Sequence, residues 1–321
     1  MTYSYPLEYP SCHVKSSNDV ICDYSEGATC RMETDSGPGV CMAIYKSCQQ
    51  YQAMVAGYSG YEINKHIIGG ENAKSGEFPF MVSLGYQNDE NDRSIISYMC
   101  GGSLITDRHV LTAAHCILNT NNYRLIEIRL GSISLQDNSR DVQRISIDDI
   151  ITHPRYRISR NYFDIAIITM RRPIILSNLT MPICLQTYSI PAFKSYLNSE
   201  MIATGWGVTN YNDDSPSLNL KKTRKLSLID SQTCGEQYRA SNRIPNGVDD
   251  SLLCILDENP VDRSDVCQGD SGGPLFLKST VVSSLLGIVS FGQGCASSVP
   301  GIYTSVYYYL DWIERIVWPA Q

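Results

Sequence analysis

Ser271 lies in the stretch Ser264–Pro274, SDVCQGDSGGP, between Asp270 and Gly272, and Gly269 and Gly273 leave the backbone bare on either side. A serine hydroxyl becomes a competent nucleophile only when a base takes its proton. Backbone N–H groups beside it stabilise an oxyanion only where the chain turns tightly, which glycine permits. Taken singly, the stretch is also an ordinary Gly/Ser turn. Two other residues change that weighting. His115 stands in LTAAHC, directly after a strand-like run and beside Cys116, a setting that His13, His66, His109 and His153 lack. Asp164 opens DIAII at the mouth of an apolar strand, where it reads either as a turn residue or as a buried carboxylate holding an imidazole in one tautomer. Together His115, Asp164 and Ser271 form a base, an orienter and a nucleophile.

These residues need a rigid frame, and the region from Ile67 onward supplies one. Short runs rich in β-branched residues, bounded by Gly, Pro, Asn or Asp, predict strands at Met81–Leu84, Ser103–Ile105, Val110–Thr112, Ile126–Leu130, Ile145–Ile151 and Asp164–Met170. A second set is predicted at Met201–Trp206, Leu226–Ile229, Leu252–Ile255, Pro274–Leu277, Leu286–Phe291 and Gly301–Ser305. Many short strands without alternating helices imply an all-β sandwich or barrel. Val306, Leu310, Ile313 and Val317 recur at helical spacing and predict a carboxy-terminal amphipathic helix. The other helix candidate is a short one around Ser231–Gln237.

The chain has 321 residues with 43% hydrophobic and 18% charged content, enough for a sizeable core. A net charge of −7 gives no basic footprint for nucleic acid, and no apolar run approaches a membrane-spanning length. Twelve cysteines, an even count without a Cys-x-x-Cys pair, favour disulfides and an oxidising compartment over metal or redox centres. Secretion normally needs a signal peptide, yet Met1–Pro10 has neither a basic nor an apolar leader segment. The expectation is that a signal lies upstream of the given start or was trimmed. Asn178-Leu179-Thr180 is a glycosylation acceptor that fits this compartment.

Residues 1–48 hold five cysteines, Cys12, Cys22, Cys30, Cys41 and Cys48, and are too short to build much core without bridges. Five is odd, so at least one pairs outside the segment. Residues 49–66 read as a linker. The predicted organisation is therefore a disulfide-rich segment 1–48, a linker 49–66 and a large region 67–321.

IIGG, LTAAHC, DIAII, TGWG and GDSGGP, in this order from Ile67 to about Val317, resemble the chymotrypsin/trypsin family of serine proteases. The resemblance implies two antiparallel β-barrels with the active site between them and a carboxy-terminal helix. It also implies roles: Ser271 attacks, His115 is general base and then acid, Asp164 orients the imidazole, and the N–H groups of Gly269 and Ser271 form the oxyanion hole. Asp265 would floor the specificity pocket and attract Arg or Lys, with Gly292 and Gly301 leaving it open to long side chains. Ser290-Phe291-Gly292 would pair with the substrate backbone as an added strand; Phe291 stands where the family usually has Trp. Val266 replaces the usual Ser or Ala, so Arg is expected over Lys, with a narrow or slow enzyme. Pro300 argues against sodium activation. Ser132 and Val142, at acidic ligand positions of the family's calcium loop, argue against calcium. No cofactor and no metal is expected.

The resemblance further implies that the chain is a precursor. Cleavage between His66 and Ile67 would free an α-ammonium at Ile67 to pair with Asp270, the residue before the nucleophile. His66 departs from the usual Arg or Lys, so the activator would not be a plain trypsin-like enzyme. GATC (27–30), GVC (39–41), KSCQQY (46–51) and GEFPFMVSLG (76–85) resemble arthropod clip-domain proteases of the snake-like and persephone-like branch. A full clip has six cysteines ending in an adjacent pair, which is absent, so the clip is degenerate or truncated. Within the family pattern Cys100–Cys116, Cys234–Cys254 and Cys267–Cys295 are bridges, and Cys184 tethers the propeptide, with Cys48 as partner. Cys12, Cys22, Cys30 and Cys41 then allow three connectivities. The implied partners are a protein substrate such as a downstream zymogen, an upstream activating protease and a serpin-type inhibitor. The implied setting is an extracellular cascade of immunity, development or melanisation. The alternatives are a venom or digestive protease, or a non-catalytic protease homologue that binds partners.

Overall fold

The computed structural model of the protein describes residues 12–16, 19–22, 29–30, 48, 50–51, 71–88, 90, 95–187, 200–208, 217–257, 259, 269–278, 283–293 and 297–319. Near the amino terminus β1 (Cys12–Ser16), β2 (Asp19–Cys22) and β3 (Thr29–Cys30) form an antiparallel sheet in which Cys12 faces Cys22 and Val20 faces Cys30. Next comes β4 (Glu71–Asn72).

Six antiparallel strands then close a barrel in the order β10-β7-β6-β5-β8-β9: β5 (Met81–Asn88), β6 (Ile96–Leu104), β7 (His109–Thr112), β8 (Tyr123–Leu130), β9 (Gln143–Thr152) and β10 (Ala166–Met170). Helix α1 (His115–Leu118) follows β7. Closure removes the sheet edges and turns one face of every strand inward. Val82, Leu84, Leu104, Leu111, Ile128 and Ile167 are fully buried there.

The second half contains β11 (Cys184–Leu185), β12 (Glu200–Gly205), β13 (Lys221–Lys222), β14 (Ser227–Ile229), α2 (Ser231–Gln237), β15 (Leu252–Leu256), β16 (Pro274–Lys278), β17 (Ser284–Phe291) and β18 (Gly301–Ser305). They form a sheet ordered β14-β15-β18-β17-β16-β12-β13-β4, with β11 parallel to β17. This sheet curls until Leu226, just before β14, donates to the Met201 carbonyl of β12 at 2.9 Å. Among the described residues, the second barrel thus closes through this bridge, which Thr223 N–H, donating to Ala203 O at 2.9 Å, links to the β12–β13 pair.

The expected strands are present, several of them longer than their β-branched cores suggested: β6 begins at Ile96 and β8 at Tyr123. One is shorter. Phe163 holds a left-handed φ of 60°, and Ile165 N–H bonds back to its carbonyl at 2.8 Å, so β10 starts at Ala166 and Asp164 sits in the turn before it. Helix α2 has its expected bounds because Asp230 caps it, accepting from Thr233 N–H at 2.8 Å. A single 3-10 turn (Tyr307–Tyr309) leads into α3 (Leu310–Val317), which buries Leu310, Ile313 and Val317. Tyr309 and Trp312 reach back onto His153 at the end of the first barrel, with ring centroids 5.4 and 5.2 Å away. No helix among the described residues is long and apolar enough to cross a membrane. The short pieces α1, β4, β11 and β13 carry too few residues to show a period, and the sequence reading did not include them.

Candidate active site

His115 enters the site at the first turn after β7, and Asp164 at the turn before β10. Those two strands are neighbours, with Ala166 opposite Thr112, so the barrel ladder alone puts the two turns side by side. His115 Nδ1 lies 2.8 Å from Asp164 Oδ2, and the His115 backbone N–H donates to Oδ1 at 2.9 Å. Asp164 has no solvent exposure. A buried carboxylate is costly unless its lone pairs are satisfied. Ser290 supplies a third donor, its hydroxyl 2.5 Å from Oδ2, and Thr304 Oγ1 donates to the Asp164 carbonyl at 2.9 Å.

Burial raises the acidity cost for Asp164, yet His115 and the other donors outweigh it and hold the carboxyl below its ordinary range. Burial pulls the His115 pKa down, while the charge and hydrogen bond of Asp164 push it up and prevail; Arg243 opposes them as a nearby cation. An ionised carboxylate only accepts, so Nδ1 carries the proton and Nε2 of the neutral ring keeps its lone pair, the form a general base requires.

Ser271 comes from the loop that precedes β16. Its carbonyl accepts from Gly101 N–H at 2.8 Å, and Gly272 N–H donates to Val289 O at 2.9 Å. Gly101 belongs to β6, next to Cys100, and Cys100 is joined to Cys116, the residue after His115. One hydrogen bond and one disulfide therefore couple the nucleophile loop to the turn that bears the imidazole. The approach is close: a Cβ on Gly272, whose φ is 76°, would overlap Thr112 Oγ1 and lie 2.7 Å from Gly101 O. Gly269 has a φ of 98°, and among the described residues neither its N–H nor that of Ser271 donates to another group.

Asp270, between Gly269 and Ser271, points the other way, into the second half. It is buried, and its Oδ1 accepts from Gly207 N–H at 2.7 Å. A Cβ on Gly205 would overlap Oδ1, and one on Gly207 would lie 2.6 Å from Cγ. The two glycines of TGWG make room for this carboxylate. Trp206 between them anchors the segment by donating Nε1–H to Ile133 O at 2.8 Å.

Ser290 lies at the end of β17 and is buried; the sequence assigned it to the pocket wall, and its hydroxyl also braces Asp164. Phe291 packs edge-on against Tyr238, 5.7 Å between centroids, and Tyr238 OH donates to Pro300 O at 2.6 Å, just before Gly301. Gly292 is exposed past the end of β17, and Gly301 is buried opposite Ile255. Asp265, Val266, His66, Ile67, Cys267 and Cys295 lie outside the described residues. Cys48 is joined to Cys184 and Cys234 to Cys254. Asn178 is exposed at a turn whose Thr180 is buried. Cys100, His115 and Cys116 place three donor atoms within 4.8 Å, but both thiols are consumed in a disulfide, which leaves one imidazole and no ligand set. Arg129 of β8 donates its guanidinium to the Asp137 carbonyl in the loop between β8 and β9.

The roles of Gly205 and Gly207 in seating Asp270, and of Thr304 beneath Asp164, were not read from the sequence. TGWG carried a signal for the former, two glycines around one aromatic. Thr304 carried none.

The sequence profile described as Trypsin matches residues 67–313. The chain is 37% identical over 269 residues to the serine protease Hayan of Drosophila melanogaster, covering 82% of this chain and 40% of that protein. It is 36% identical to the serine protease snk of the same fly, covering 78% and 56%. It is 35% identical to phenoloxidase-activating factor 3 of Holotrichia diomphalia, covering 80% and 74%. The chain thus spans about half the length of the two fly proteins it matches.

Proposed function

The chain belongs to the trypsin family of serine proteases, and from that premise we propose that it is a secreted serine endopeptidase made as a zymogen. In this reading Ser271 Oγ attacks the carbonyl of a peptide bond while His115 Nε2 accepts its proton. Asp164 stabilises the imidazolium that forms, and His115 then returns the proton to the leaving amine. The N–H groups of Gly269 and Ser271 take the oxyanion. Asp265 selects Arg, and less readily Lys, ahead of the scissile bond. The observation that carries the proposal is the buried Asp164 bonded to His115 Nδ1 at 2.8 Å, with the Ser271 loop tied to the neighbouring strand through Gly101.

Cleavage after His66 releases Ile67, whose ammonium pairs with Asp270 and sets the oxyanion loop. Segment 1–48 is a disulfide-rich, clip-like propeptide that Cys48–Cys184 keeps attached after cleavage. The resemblance to a phenoloxidase-activating factor supports a substrate that is itself a downstream proenzyme, in an extracellular cascade with an upstream activating protease and a serpin-type inhibitor.

The test is chain cut between His66 and Ile67, treated with an active-site phosphonate and profiled on a peptide library. Labelling of Ser271 with cleavage after Arg is expected. Labelling without cleavage after Arg overturns the pocket assignment. Absence of labelling overturns the endopeptidase reading and leaves a binding homologue.

A further inference from the structure

One edge of the site carries cations that the catalytic chemistry does not use. The segment from Tyr156 to Asp164 leaves the first barrel, and the segment from Arg239 to Gly247 follows α2. They are stitched together where Asn161 N–H donates to Arg243 O at 2.9 Å, Tyr162 OH donates to Gly247 O at 2.7 Å, and Asn246 N–H donates back to Tyr162 OH at 3.0 Å. Tyr156 and Tyr162 are buried and anchor this seam, whereas Arg157, Ile158, Arg160 and Arg243 are exposed along it. Arg160 N–H closes a turn on Arg157 O at 2.9 Å, which keeps these two arginines on one short loop.

Among the described residues no carboxylate lies within ion-pair distance of Arg157, Arg160 or Arg243. The nearby acid Asp249 accepts at Oδ1 from the Ser251 N–H and hydroxyl. Arg155 is spent differently, its guanidinium 4.2 Å over the Phe163 ring. Three arginines without an ion pair among the described residues stand out in a chain whose net charge is −7; the Arg157 guanidinium also donates to the Pro154 and Tyr156 carbonyls. Arg243 is near enough to His115 to act on its protonation, which places the rim at the imidazole side of the site.

On the endopeptidase reading, the strand that would pair with a substrate leads from Ser271 towards this rim. Val289 N–H bonds Gly273 O at 3.0 Å beside Ser271, and β17 runs outward from there to Phe291, whose ring meets Tyr238 at the end of α2. On that reading, a peptide paired with Ser290–Gly292 would run along Phe291, whose ring packs on Tyr238 of the segment that leads to Arg243. We infer that Arg160 and Arg243, with Arg157 behind them, select protein substrates carrying Asp or Glu two to four residues before the cleaved bond. The inference rests on the endopeptidase reading and deepens it, since Asp265 would choose the residue at the bond and the arginines the acidic residues ahead of it. Each exposed pair is modest and screened by salt, so the preference arises from several pairs acting together.

The experiment uses the full chain cut between His66 and Ile67, with peptides ending in Arg at the cleaved bond and Asp/Glu or Asn/Gln upstream. The ratio of kcat/KM, acidic over neutral, is expected to be roughly five- to tenfold at low salt. It should fall towards one in high salt and in the Arg160→Gln/Arg243→Gln double variant. The same peptides titrated onto the Ser271→Ala chain by fluorescence anisotropy read the preference without turnover. A wild-type ratio of one or less overturns the inference and leaves the endopeptidase reading intact. So does a ratio that the double variant and salt leave unchanged. Tight binding of a heparin oligosaccharide with no peptide preference overturns it in favour of a glycan surface. Selective binding by Ser271→Ala with no turnover by the wild-type chain upholds the arginine rim and overturns the endopeptidase reading.

Discussion

Two buried carboxylates flank the nucleophile, and the regions that hold them are built on opposite plans. Asp164 lies at the closed barrel, where the β7–β10 ladder aligns its turn with that of His115 and donors from His115, Ser290 and Thr304 surround it. Asp270 lies in the half that closes through one bridge, and its carboxylate occupies space that exists because residues 205 and 207 have no Cβ. The first arrangement joins the two halves, with His115 supplied by the barrel ladder and Ser290 and Thr304 by β17 and β18 of the second sheet. The second is a seat in a loop, and under the proposed activation a new charge at Ile67 would set it. The proposed precursor, with a finished base and an unfinished oxyanion loop, would rest on this asymmetry.

The contrast is open to direct attack. Asp164→Asn should lower kcat of the cleaved chain by roughly 10⁴-fold while the chain still folds, because the amide favours the wrong imidazole tautomer. Steady-state kinetics beside a thermal melt would check this; an equal loss of Tm and rate would mean the residue is mainly structural. Gly207→Ala should come next, at about 10²- to 10³-fold in kcat, since the new methyl displaces the Asp270 carboxylate and with it the N–H donors of Gly269 and Ser271. Phosphonate labelling rates would follow the same loss, whereas a reorganised seat would keep them. Ser290→Ala removes one donor from a buried charge and should destabilise by about 1–3 kcal/mol, read by urea unfolding.

The smallest effect is on pH. His115 is a base only when neutral, so kcat/KM should fall as pH drops through its pKa. Asp164 raises that pKa above the ordinary 6.5 against the pull of burial, so the acid limb should lie above pH 6.5. Arg243 acts in the opposite direction, and Arg243→Gln should move the midpoint further up. In stability the depressed Asp164 contributes above the unfolded carboxyl pKa, and the contribution is lost as pH falls through its folded pKa.

Most of the fold was legible because its strands are short, β-branched and punctuated. The pairing of His115 with Asp164, and the candidate nucleophile Ser271, were legible because each residue sits in a distinctive local setting. What was not legible depends on residues distant in the chain. Nothing near Ser290 says that its hydroxyl will meet a carboxylate 126 positions earlier. Nothing near Asn161 says that it will be stitched to Arg243. The start of β10 also moved, because the left-handed Phe163 is held by stacking on His153, 4.9 Å between centroids, and not by any local turn signal.

By itself, then, the amino-acid sequence determined the strand pattern and the family and nominated the residues that would carry the chemistry, since these follow from local periodicity and from motif order. The tertiary structure alone decided how Asp164 is satisfied, why TGWG needs both glycines, and which segments meet at the Asn161–Arg243 seam. Those outcomes depend on distances between segments that only the closed barrel and the curled sheet bring together.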